Sequence, residues 1–101
     1  MLRSVEYTTR ATLNLKSIKA FIERENPAAA LRVVEYITDS ADVLINFPMM
    51  GKPWTRAGTR KLVLSTFPYL IIYKLTPAKV IVLAVAHQSQ KNKQIKLSRK
   101  R

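Results

Sequence analysis

Arg60 and Lys61, adjacent in "GTRKL", and His87, closing "VIVLAVAH", are the side chains of this sequence best suited to act on a phosphodiester. Metal-free cleavage of RNA needs a base for the 2′-hydroxyl, a cation for the scissile phosphate and an acid for the leaving oxygen. Either cation could hold phosphate, and an imidazole exchanges protons near neutral pH. Tyr69 or Tyr73 could donate a hydrogen bond or stack on a base. Three features weigh against that chemistry. No carboxylate follows Asp42, a lone histidine at the end of an apolar run also suits a sheet edge, and neighbours on a strand point to opposite faces. At most one of Arg60 and Lys61 then faces a given site, and both tyrosines fit a core better than a site.

Other chemistries are poorly supplied. With one histidine and no cysteine no metal site is legible, and no glycine-rich phosphate loop or other cofactor motif appears. The lack of cysteine suits a reducing compartment, and a cytoplasmic protein is expected. The longest apolar runs fall far short of the roughly 20 residues a membrane helix needs, and the first ten residues lack the features of a secretory signal.

Charge carries more information. Residues 1–50 balance six bases with six acids, whereas residues 51–101 hold twelve bases and no acid, so the entire net charge of +12 lies in the second half. Such asymmetry attracts nucleic acid, an anionic membrane surface or an acidic protein; a solvated basic face is the simpler alternative.

The elements that must position these groups follow from periodicity. Ala11, Leu15, Ile18 and Ile22 recur at helical spacing behind a capping threonine, Thr8 or Thr9, and predict a helix ending near Glu25. Asn26-Pro27 starts a second helix, with apolar positions Ala30, Val33, Val34, Ile37, Ala41 and Leu44. Residues 46–58, with two prolines and both glycines, read as a loop. Branched and aromatic runs then predict strands over 61–65, 69–75 and 79–87, with 3–7 as a short edge strand. The expected fold is α+β: an N-terminal helical hairpin on a small, mostly antiparallel twisted sheet of three to four strands. Residues 1–90 form one expected domain, and 91–101 a basic tail that is either disordered or ordered by a partner.

The last strand is apolar on both sides, with Val80, Val82, Ala84 and Ala86 expected on one face and Ile81, Leu83 and Val85 on the other. Two helices cover one face of a small sheet. The second face must meet the tail, another copy of the chain or another protein, unless sheet twist and the loop from Met49 to Trp54 close over it.

"YTTRATLNLKSIKAFI", "ENPAAALRVVEYI", "FPMMGKPW", "GTRKLVLSTFPYLIIYKL" and "VIVLAVAH" together resemble the RelE/ParE superfamily of toxins from bacterial type II toxin–antitoxin modules. The resemblance implies the same hairpin-on-sheet fold and a cognate acidic antitoxin, hence a hetero-oligomer with that antitoxin. RelE-like members cleave messenger RNA in the ribosome with basic residues on the sheet, including an arginine after the tyrosine of the "YRLVY"-type strand; here that position is Leu70. "GTRKL" and "PYLIIY" are more similar to ParE-like members, which poison DNA gyrase. On this resemblance Arg56, Arg60, Lys61, Lys91 and Lys93 are candidates for target or phosphate binding, and Ile81, Leu83, Val85 and Lys96 for antitoxin binding. Arg60 has a structural alternative, an ion pair with Glu35 or Asp39.

Overall fold

A computed structural model describes residues 3–89. In chain order the elements are β1 (Ser4–Tyr7), α1 (Thr9–Glu23), α2 (Pro27–Val43), β2 (Lys52–Pro53), β3 (Thr59–Val63), β4 (Tyr69–Leu75) and β5 (Lys79–His87). The helix starts are set locally. The Thr8 hydroxyl accepts the Ala11 N–H at the head of α1, and the Asn26 side chain accepts the Ala29 N–H at the head of α2, where Pro27 needs no acceptor. α1 stops at Glu23 rather than near Glu25, because the amides of Glu25 and Asn26 both turn back onto the Ile22 carbonyl and release the chain into the second cap.

Among the described residues the sheet has five strands in the order β1-β5-β4-β3-β2, one or two more than expected. β1 runs parallel to β5 at one edge, and every other pairing is antiparallel. The additional strand is β2, whose two residues include a proline and so give little sequence signal. β3 begins at Thr59, two residues before the expected Lys61, because Gly58 at φ +80° turns the chain and Trp54 N–H closes the hairpin on Thr59 C=O.

One face of the sheet carries both helices. Ala11, Val33, Ile37, Ala41 and Leu44 pack there on Tyr69, Ile71, Tyr73, Val80, Val82 and Val85. The expected alternation along β5 holds only to Val82. Ile72 pairs with Ala84 and Tyr73 with Val82, so Leu83 is an extra residue opposite the β4 ladder, and its bulge reverses the facing of everything after it. Val85 therefore lies under the helices, 3% exposed, while Ala84 and Ala86 turn outward, the reverse of the expected grouping. The bulge is held by the cap and second turn of α1. Thr8 donates its amide to Val82 C=O and its hydroxyl to Leu83 C=O, and Asn14 Oδ1 accepts the Val85 N–H at 3.0 Å.

The outer face is not left open at its centre. Leu70, Ile72, Ala84 and Ala86 form a second small buried cluster with Trp54 and Leu83 packed against it, so the loop following Pro53 does contribute a cover.

The loop from Asn46 to Gly51 is pinned from beneath. Fully buried Tyr73 donates its hydroxyl to Pro48 C=O at 2.7 Å and accepts the Gly51 N–H at 2.9 Å. A Cβ on Gly51 would stand 2.7 Å from the Tyr73 ring and hydroxyl and 3.0 Å from the Lys61 carbonyl, so no other residue fits unshifted. Gly51→Ala is expected to destabilise by about 1–3 kcal/mol through overpacking. Tyr73→Phe should cost a similar amount, about 1–3 kcal/mol, for the amide and carbonyl it leaves unpaired. Denaturant midpoints at constant slope measure both, and unchanged midpoints would show that the loop is not anchored there.

Candidate functional site

Arg60 projects from β3 on the helix-bearing side, paired with Tyr73. Its Nε donates to Gly51 C=O at 2.8 Å and its Nη2 to Met49 C=O at 3.4 Å. The guanidinium thus serves as a second anchor for the loop. Neither Glu35 nor Asp39 pairs with it among the described residues, so the expected ion pair to α2 is replaced by carbonyl contacts. Lys61 points to the outer face, opposite Lys52 on β2 and Ile72 on β4.

His87 ends β5 beside Tyr69, with ring centroids 5.3 Å apart and edge-to-face. Its Nδ1 accepts the Ser89 N–H at 3.0 Å. After the bulge it faces α1, where with Asn14, Ser17, Ile18, Phe21 and Val85 it lines an open cleft of about 440 Å³. The three residues proposed for phosphodiester chemistry are therefore not brought together. Lys61 pairs with Ile72 and His87 with Tyr69, a separation of one intervening strand, roughly 10 Å along it, and a change of face. Burial raises the pKa of the Tyr69 hydroxyl, and Tyr73 is committed to the loop, so neither is a ready proton donor.

The remaining candidates are dispersed. Arg56 is exposed in the turn before β3, where its carbonyl accepts the amide and hydroxyl of Thr59. Ile81 and Leu83 are half-buried on the outer face, separated by the sheet from Val85. Leu70, where an RNase-type strand carries arginine, is buried in the outer cluster. Lys91, Lys93 and Lys96, with the tail 91–101, lie outside the described residues. No group of three or more potential metal ligands occurs among the described residues, and no helix there is long and apolar enough to cross a membrane.

Sequence reasoning missed the lysines that join Lys61. Lys52, Lys61, Lys74 and Lys79 come from four neighbouring strands and share the outer face. Lys79 pairs with Glu6 at 2.5 Å, and the other three have no acidic partner among the described residues. Period-two reading of "YLIIYKL" would have put Lys74 with Leu70 and Ile72, but Lys52 was hidden in an apparent loop.

A mostly antiparallel sheet with a helical hairpin packed on one face is the fold this chain shares with solved RelE/ParE toxin structures. The sequence profile of the ParE toxin family of type II toxin–antitoxin systems, parDE, matches residues 5–92, and the chain belongs to that family. It is 38% identical over 93 residues to the candidate toxin Y4kP of Sinorhizobium fredii, covering 92% of this chain and 96% of the relative. It is 31% identical over 86 residues to toxin RelE2 of Caulobacter vibrioides, covering 85% and 96%. Among solved structures it superposes on a chain of the chromosomal ParDE system of P. aeruginosa with a TM-score of 0.76 at 22% identity, covering 84% of this chain and 95% of that one.

Two tyrosines near α2 give the fold a pH signature. The Tyr36 phenol accepts the Thr66 N–H at 3.2 Å, and hydrogen bonds from Thr66 and then Ser65 lower its pKa to about 8. Tyr7, whose hydroxyl has no hydrogen-bond partner among the described residues, is raised to about 12 by burial and then by Asp42 and Asp39. From about pH 8 to 10 the folded chain releases a Tyr36 proton that the unfolded chain keeps, so stability rises with pH. From about pH 10 to 12 the unfolded chain loses the Tyr7 proton that the folded chain keeps, and stability falls. Denaturation at stepped pH should show the rise in wild type and not in Tyr36→Phe; an identical profile in the variant contradicts the assignment.

Proposed function

We propose that the chain is the toxin of a type II pair, neutralised in a hetero-oligomer by a cognate acidic antitoxin, and that it acts in the cytoplasm by binding and poisoning DNA gyrase. The observation that carries this reading is the separation of Arg60, Lys61 and His87: one cation anchors a loop, the second occupies the outer face, and the histidine faces α1. Leu70 in place of the arginine of RNase-type strands supports it. Membership of the ParE family and likeness to a ParDE system support both the antitoxin and the gyrase target.

Ribosome-dependent cleavage of messenger RNA is the second reading, favoured by the similarity to the protein named RelE2. It would make Arg60, Lys61 and His87 the nearest catalytic groups. A basic nucleic-acid-binding module without toxicity is the third.

Expression without antitoxin should accumulate cleaved DNA–gyrase complexes and induce the SOS response while transcripts stay intact. His87→Gln should preserve growth arrest to within about twofold, whereas loss of a general acid or base typically costs about 100-fold or more. Transcripts cut within ribosomes, together with loss of arrest in His87→Gln, would establish the nuclease instead; harmless expression would favour the simple binder.

A further inference from the structure

The outer face carries a line of cations that the fold itself does not use. Lys52 stands directly opposite Lys61. Lys74 lies two residues along β4 from Ile72, the partner of Lys61, and Lys79 lies two residues along β5 from Ile81, the partner of Lys74. Both steps run in the same direction, so the four ammonium groups form a slanted row about 20 Å long, one from each strand from β2 to β5. Lys79 is balanced by Glu6, which leaves Lys52, Lys61 and Lys74 as the uncompensated part.

Like charges directly opposite one another destabilise a sheet. Lysines on edge strands guard against edge-to-edge association, which accounts for Lys52 on β2 but not for Lys61 and Lys74 on the interior strands β3 and β4. A polyanion laid along the row would remove the repulsion.

The surroundings select the kind of polyanion. The centres of protein–protein interfaces are depleted in lysine and built on exposed apolar anchors. Here Ile72, Ala84 and Ala86 are buried in the sheet and Ile81 and Leu83 are half-buried. Val63, the one exposed large apolar side chain on this face among the described residues, lies two residues along β3 from Lys61 on the side away from Lys74, and the exposed Phe47, Met49 and Met50 belong to the anchored loop. Single-stranded nucleic acid is held by aromatic platforms on which bases stack. Trp54 is the one aromatic on this face among the described residues, and it packs against the cluster of Leu70, Ile72, Ala84 and Ala86. What remains is a row of point charges suited to a phosphate backbone whose bases are already paired and stacked. Duplex DNA presents such a backbone, with one charge per 3.4 Å of axis on each strand.

We propose that the outer face binds the backbone of duplex DNA through Lys52, Lys61 and Lys74, without reading its sequence and without cleaving it. This goes beyond the gyrase reading and does not depend on it.

The test is the salt dependence of binding of the full chain to a labelled 20-base-pair duplex of arbitrary sequence, followed by fluorescence anisotropy. Wild type is compared with the triple variant Lys52→Gln, Lys61→Gln, Lys74→Gln and with a control triple on exposed helical positions, Arg10→Gln, Lys16→Gln, Arg32→Gln. Cations outside the described residues are common to all three chains and cancel in the differences. Losing three phosphate contacts should reduce the slope of log K against log salt by about 2.7, so over a fourfold rise in salt wild type loses roughly fortyfold more affinity than the lysine triple. The control should keep the wild-type slope, and the lysine triple without DNA should be at least as heat-resistant as wild type because repulsion has been removed. Equal slopes in all three chains, or equal reductions in both triples, overturn the proposal. Tenfold preference for the single strand overturns the choice of duplex, and displacement of the duplex by polyglutamate as readily as by unlabelled DNA makes the face a site for acidic protein. No gyrase is present, so failure here leaves the toxin reading to its own experiment.

Discussion

One extra residue in β5 governs how this molecule presents its chemistry. The Leu83 bulge allows Val80, Val82 and Val85 to pack under the same two helices although their spacing breaks a strict alternation. It is maintained because the carbonyls and amide there find Thr8, the cap of α1, and Asn14, in the second turn of α1. A backbone irregularity of this kind persists only where its polar groups are paired, since an unpaired buried amide costs more than the bulge saves. Thr8 therefore does two jobs, capping α1 and fastening β5, which couples the helical half of the chain to the last strand.

The consequence for function is a sorting of cations and imidazole. Without the slip His87 would share the outer face with Lys61; with it the ring turns toward α1 and Tyr69. Arg60 is withdrawn separately, by carbonyls of a loop that Tyr73 holds from below. The outer face retains lysines and mostly buried apolar groups, with Glu6 paired to Lys79 at its β1 edge, and the other acids of the described residues lie on α1, α2 and the turn between them. Such a surface can bind an anion, but around Lys52, Lys61 and Lys74 it offers no neighbouring carboxylate for proton transfer.

Much of the fold was legible before any coordinates. Thr8 and Asn26-Pro27 announce two helix starts by their capping chemistry, and the branched runs 69–75 and 79–87 mark the central strands to the residue. The failures share a cause. Alternation along β5 is read on the premise of an unbroken ladder, and the bulge is imposed by contacts from Thr8 and Asn14, remote in sequence. β2 owes its existence to pairing with Lys61 and Arg60, not to its own two residues. Arg60 could not be assigned to the loop because its acceptors are main-chain carbonyls, which carry no sequence signature. Lys52 and Lys74 joined Lys61 only once the register was known.

The separation of cation from imidazole requires Lys61 and His87 to occupy opposite faces of one sheet. Nuclear Overhauser contacts of the His87 ring in the intact protein test this directly. Contacts to Tyr69, Ile18 and Phe21, with Val85 methyls close to Asn14, are the predicted result. Contacts from the ring to Leu70, Ala84 or the Lys61 side chain would contradict it, since they would mean an unbulged β5 and a histidine on the same face as the lysines.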